Sequence, residues 1–168
     1  MRTIKSFALV FALLLAGVIT GSAQTVLTAL DGSKVDVQAQ DGKVVILAVG
    51  ASWLPLSAKQ AEYTNALAKK YAGKNVVVYF VATDSNIARS KNFASDDAIR
   101  KFGTANGLTA KILRDSDGAA TLKKFSIDQI PSFVILNKSG DAVGDPFGGI
   151  DPKFDITVPI SKAVDKLL

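Results

Sequence analysis

Two stretches of the chain, residues 43–50, "KVVILAVG", and residues 75–83, "NVVVYFVAT", each hold an unbroken run of apolar residues. Neither alternates apolar with polar positions as a strand with one wet face does, so both are expected to be strands buried on both sides of a largely parallel sheet. Between them, "SAKQAEYTNALAKKYA" (57–72) places Ala61, Leu67, Ala68 and Tyr71 along one helical stripe. Lys69 and Lys70 fall in its last turn and Gly73 just beyond it, as suits a helix C-terminus. Strand, helix and strand at these lengths predict a right-handed βαβ unit whose strands are parallel neighbours.

Around this unit the pattern changes to short elements. Upstream, "TVLTALDGSKVDV" holds two β-favouring runs about an Asp31-Gly32 turn, a hairpin signal, and "QDG" marks a second turn before residue 43. Downstream, a helix is predicted within residues 94–105 and another over "SDGAATLKKFS", capped by Ser116 or Asp117. "SFVILN", "KSGD" and "AVGDPF" read as an antiparallel hairpin, and a terminal helix follows from about Val158. The predicted class is α/β: a central mixed sheet flanked by helices on both faces, with an N-terminal β-hairpin and a helical insert. Neither repeat nor proline-rich linker divides the chain, which predicts a single domain.

The first residues follow another logic. Arg2 and Lys5 precede the 13-residue apolar run "FALVFALLLAGVI", and "GSA" ends at Ala23. This is the pattern of a cleaved export signal over residues 1–23, with 24–168 as the mature domain. An uncleaved anchor is the alternative, but the run falls short of the about 20 apolar residues of a membrane span. The expected location is therefore periplasmic or secreted, with no membrane span in the mature protein. Of 168 residues, 145 remain after Ala23, enough to bury roughly 68–70% of the unfolded chain's surface in one core.

Charge and composition mainly exclude. Losing Arg2 and Lys5 lowers the formal net charge from +5 to +3. The other cations, among them Lys69, Lys70, Arg89, Arg100, Lys101, Lys123 and Lys124, are dispersed among acids with no basic stripe, so nucleic acid is not an expected partner. The chain contains no cysteine and no histidine. Disulfides, thiolate nucleophiles, thiolate metal sites, Ser-His and Cys-His catalytic pairs and histidine-ligated metals are all ruled out. "RDSDG" offers Asp115, Asp117 and Gly118 at positions 3, 5 and 6 of a calcium loop, but that loop would begin at Leu113 and end at Lys124, wrong at both ends. No cofactor and no metal is expected.

The strand "VVILAVGASW" running into Trp53, the block "LRDSDGAATLKKFSIDQIPSFVILNKSGDAV" with "IPSFVILNKSG" at its heart, and the helical insert ahead of it resemble the thioredoxin-like superfamily. The likeness is to exported TlpA- and ResA-type (redoxin) thiol-disulfide oxidoreductases, and it covers about Lys43 to Gly149. It implies a thioredoxin-like fold, with Ile130-Pro131 in a cis peptide bond opposite the start of the active-site helix. In that family the slot after the tryptophan is Cys-x-x-Cys. Here it is Leu54-Pro55-Leu56-Ser57, a degenerate, cysteine-free motif. The position at which many thioredoxins keep a buried acid is Ala48.

A helix N-terminus lowers a cysteine pKa to about 3.5–7.5, and Leu54 gives that field nothing to ionise. Ser57 is expected to act as the N-cap of the helix; as a nucleophile it would have only Lys59 as a base. Trp53, Leu54 and Leu56 form a candidate apolar contact patch. In the resemblance the backbone before Pro131 pairs with an extended segment, which requires main-chain groups only. The leading expectation is an exported thioredoxin-like module without dithiol redox chemistry, binding an extended peptide or protein partner at Trp53, Leu56, Ile130 and Pro131. The alternatives are a thioredoxin-fold enzyme using an external, glutathione-type thiol with Ser57, a thiol-disulfide oxidoreductase or antioxidant-like protein as the family implies, and a structural subunit whose degenerate face is covered by a partner.

Overall fold

The computed structural model describes residues 24–168; the expected export signal, residues 1–23, lies outside the described residues. Two short strands, β1 (Val26–Ala29) and β2 (Lys34–Asp36), form the N-terminal hairpin about Asp31 and Gly32. Gly32 has φ +84, a left-handed turn geometry that favours glycine. The βαβ unit follows as β3 (Val44–Gly50), α1 (Ser57–Lys70) and β4 (Val76–Ala82). Strands β3 and β4 are parallel, with Val44 opposite Val76 and Gly50 opposite Ala82.

Helix α2 (Asp96–Ala105) is the insert, with Ser95 as its N-cap accepting from the Ala98 N–H. It leads into β5 (Lys111–Arg114), which runs parallel to β4 and antiparallel to β1. Sequence reading missed this strand because "KILR" is short and charged at both ends. Strand β6 (Ser132–Leu136) is antiparallel to β3, β7 (Phe147–Gly148) closes the edge, and α3 (Thr157–Asp165) ends the fold. The predicted second hairpin strand shrinks to an Ala142 bridge to Leu136 and the two residues of β7. The seven-stranded sheet has the order β2-β1-β5-β4-β3-β6-β7.

The period-two geometry of a strand sorts the buried residues into two cores. Val44, Ile46 and Ala48 of β3 join Phe80 and Phe133 under helices α1, α2 and α3, which contribute Leu67, Ile99 and Ile160. Val45, Leu47 and Val49 face the opposite layer with Tyr79, Val81, Leu113 and Val134. That second layer is not helical. The helix expected over residues 116–126 is replaced by a 3-10 turn, Ser116–Gly118, and a chain of turns that seats Leu122, Phe125 and Ile127 on the sheet. Asp117 and Gly118 have φ of 58 and 67, and Ser126 has φ 54, a left-handed backbone that no α-helix propagates through. The carboxylate of buried Asp115, not Ser116 or Asp117, accepts from the N–H groups of Ala120 and Thr121 at 2.9 Å.

All seven residues of β3 are buried, and Phe133 lies beside it with no exposed surface. Phe133→Ala is expected to destabilise the fold by about 3–5 kcal/mol in chemical denaturation, whereas Val158→Ala, at an exposed position, should stay within about 0.5 kcal/mol. Equal midpoints for the two variants would contradict the two-core description.

Candidate functional site

The parallel strands β3, β4 and β5 end at one rim of the sheet, and antiparallel β6 begins there. At this rim, residues 51–56 leave β3, residues 83–95 leave β4, residues 115–118 leave β5, and Gln129, Ile130 and Pro131 enter β6. Loops at the carboxyl ends of parallel strands are where open α/β sheets place their ligands. The Ile130-Pro131 bond is cis, as the resemblance implies. Val49 pairs with Ser132, so the Trp53 turn leaves the sheet beside the point at which Pro131 enters it.

Asp84 holds the turn in place. Its side chain is fully buried, and its carboxylate accepts from the Ser52 N–H at 3.0 and 3.1 Å and from the Ser52 hydroxyl at 2.6 Å. A second clamp is Gln60, one turn into α1, whose Nε2 donates to the carbonyls of Val49 at 3.0 Å and Ser132 at 3.1 Å. Gln60 thus ties the helix to both β3 and β6. Gly50 makes room for it, because a Cβ there would lie 2.1 Å from Gln60 Oε1. Sequence reading found neither clamp. Asp84 stands at the end of a strand run and Gln60 within an amphipathic helix, and only the meeting of three strand ends reveals what they bind.

Several expected roles change at the motif. Ser57 is not the N-cap: it is the first helical residue, Leu56 precedes it, and no side chain caps the helix. The buried Ser57 hydroxyl points backwards and donates to the carbonyls of Leu54 and, at 3.2 Å, Ser52. A side-chain donor bound to carbonyls within its own turn is not presented to a ligand thiolate. Lys59 is paired with Glu62 at 2.8 Å. That hydrogen bond raises the Lys59 pKa, the opposite of what a general base requires.

The apolar patch is narrower than expected. Trp53 is 49% exposed, while Leu54 is half-buried and Leu56, also half-buried, packs against the helical core. Pro131 is buried and Ile130 is half-buried against the second core. Neither the N–H nor the C=O of Ile130 has a hydrogen-bond partner among the described residues. Ala48 lies buried in the helical core, with no carboxylate at that position. Among the described residues no three acidic side chains gather as a metal would need, and no helix is long and apolar enough to cross a membrane.

A family model described as Redoxin matches residues 15–147, most of the chain. The chain belongs to the Redoxin family. It is 25% identical over 118 residues to the thiol-disulfide oxidoreductase ResA of Bacillus thuringiensis (strain Al Hakam), a match that spans 70% of this chain and 62% of that protein. The chain thus covers less than two thirds of that relative's length. The fold is shared with the exposed lipoprotein thioredoxin Etrx1 of Streptococcus pneumoniae strain TIGR4, at TM-score 0.68 and 22% identity over 86% of this chain and 100% of the other. It is also shared with a putative thiol:disulfide interchange protein DsbE of Chlorobium tepidum, at TM-score 0.67 and 20% identity over 84% and 93%. This Redoxin member has no cysteine anywhere in its sequence.

Replacing Asp84 by alanine leaves the Ser52 N–H without its acceptor and is expected to destabilise the domain by about 1.5–3 kcal/mol. Trp53 is the single tryptophan, so its emission reports on the turn directly and should shift in Asp84→Ala. An unchanged denaturation midpoint with unchanged emission would remove Asp84 from its role as the clamp.

Proposed function

We propose that this chain is an exported Redoxin-family module that binds an extended peptide or protein segment at the rim and performs no dithiol exchange of its own. The observation that carries the proposal is the main chain of Ile130, unpaired among the described residues, beside a half-exposed Trp53. An extended segment can pair with such a backbone by strand addition, using main-chain groups alone, while an aromatic anchor supplies apolar contact. Trp53, Ile130 and Pro131 form the core of the proposed site, with the partly exposed face of Leu56 at its margin.

Thiol exchange proceeds by attack of a thiolate on a disulfide sulfur, and Leu54 and Ser57 occupy the two positions from which the family resemblance would have sulfur act. An external thiol aided by Ser57 finds no support in a hydroxyl already donated to Ser52 and Leu54. Residues 1–23 are proposed as a cleaved export signal ahead of the domain at 24–168, and the mature chain as periplasmic or secreted. The relative described as an exposed lipoprotein supports that location.

Two measurements test this. With dithiothreitol as reductant, the purified protein is expected to leave insulin reduction at its uncatalysed rate, and turnover above that background would overturn the proposal. In fluorescence anisotropy with an extended apolar peptide, Trp53→Ala is expected to weaken binding about tenfold or more, while Val158→Ala leaves it unchanged.

A further inference from the structure

The loop joining β4 to α2 carries a second set of exposed groups at the same rim. Ser85 closes its base: the Ser85 N–H donates to the Asn92 carbonyl at 2.9 Å, and the Ala94 N–H donates to the Ser85 carbonyl at 3.1 Å. Inside, the Ser90 N–H bonds the Ile87 carbonyl at 2.8 Å and the Phe93 N–H the Ser90 carbonyl at 3.2 Å. The Asn86 N–H donates to the Ser116 hydroxyl at 3.0 Å, which fixes the loop to the turn after β5. This ordered loop presents Ile87 at 61% and Phe93 at 43% exposure. Its two cations, Arg89 and Lys91, are exposed and have no ion pair among the described residues.

The loop is coupled to the Trp53 turn. Asp84, immediately before Ser85, is the residue that holds Ser52, and the Thr83 N–H donates to the Gly50 carbonyl at 2.7 Å. Trp53, Ile87 and Phe93 therefore project from neighbouring segments at the end of adjacent parallel strands. The nearby acids have partners within the fold, Asp84, Asp115 and Asp117 with neutral donors and Asp97 with Arg100. Asp84 is buried on Ser52, Asp115 is buried on Ala120 and Thr121, Asp117 accepts from the Ser85 and Ser116 hydroxyls, and Asp96 pairs with Arg114 at 3.3 Å. The exposed carboxylate of Asp128 lies towards the Ile130 end. By its own sequence, the 86–93 loop carries two cations, Arg89 and Lys91, beside Ile87 and Phe93, and no acid.

We infer that the 86–93 loop extends the proposed site and selects an extended segment that places acidic residues next to apolar ones, with its carboxylates at Arg89 and Lys91 and its apolar side chains at Ile87, Phe93 and Trp53. This rests on the peptide-binding reading above and adds the chemistry of the partner. Rim charges govern selectivity and encounter more than overall affinity, so the charge preference of the site is the quantity to measure.

The test uses three fluorescein-labelled ten-residue peptides of one apolar sequence carrying two Glu, two Gln or two Lys, titrated with the purified protein at low salt. The Glu peptide is expected to bind about three- to tenfold more tightly than the Gln peptide, as two exposed ion pairs allow, and the Lys peptide more weakly than either. The double variant Arg89→Ser/Lys91→Ser, at exposed positions, should abolish the preference and keep the Gln-peptide affinity, and added salt should narrow the wild-type preference. Ile87→Ser/Phe93→Ser should weaken all three peptides together. Equal binding of Glu and Gln peptides, or a preference that survives in the Arg89/Lys91 variant, overturns this inference and leaves peptide binding standing. Failure of all three peptides to bind overturns both.

Discussion

The rim is organised about the end of β3, the strand between β4 and β6. This strand has neighbours on both edges and a packed layer on both faces, so its seven residues are closed off from water. Its backbone is hydrogen-bonded to β4 on one side and β6 on the other, and a buried backbone that lost those partners would leave amides unsatisfied. The register is therefore rigidly specified, since a one-residue slip would exchange the Ile46 and Leu47 faces and empty both cores. The positions of the Trp53 turn, of Ser132 and of the residues after β4 follow from that one strand.

Two polar side chains convert the fixed register into a fixed rim. Asp84 satisfies the first turn residue, and Gln60 satisfies two carbonyls on different strands. Both are fully buried. Buried polar groups of this kind hold geometry because leaving them unpaired is expensive. The rim keeps the shape of a Redoxin reactive centre although no sulfur stands in it. Shape and chemistry are separable here because the clamps involve neither Leu54 nor the Ser57 hydroxyl.

Much of the fold was legible along the chain. The uninterrupted apolar runs marked β3 and β4, the lysine-ended stripe marked α1, and Asp31-Gly32 marked the first hairpin, because each signal is local and strong. The second layer was not legible. "GAATLKKFS" has helical composition, but the left-handed residues at Asp117, Gly118 and Ser126 turn it into a surface strap, a conformation set by docking on the sheet and not by propensity. Ser57 likewise has the composition of a cap and the geometry of a donor to its own turn. At the site, the motif positions were readable while the clamps and the seat of the 86–93 loop were not, since Asp84 and Asn86 find partners 30 or more residues away and Gln60 joins Val49 to the distant Ser132.

What the sequence by itself determined is chemical: the absence of cysteine and histidine removes every mechanism that needs a thiol or imidazole of the chain's own, whatever the fold, because no arrangement supplies a missing atom. It also determined the class, through uninterrupted apolar runs of strand length on either side of a helical stripe. The tertiary structure decided which of the remaining groups face water. Trp53 over Leu56, a main chain at Ile130 unpaired among the described residues, and a positive apolar loop beside them are outcomes of strand order and long-range hydrogen bonds, which bring distant residues to one rim and leave no trace in local pattern.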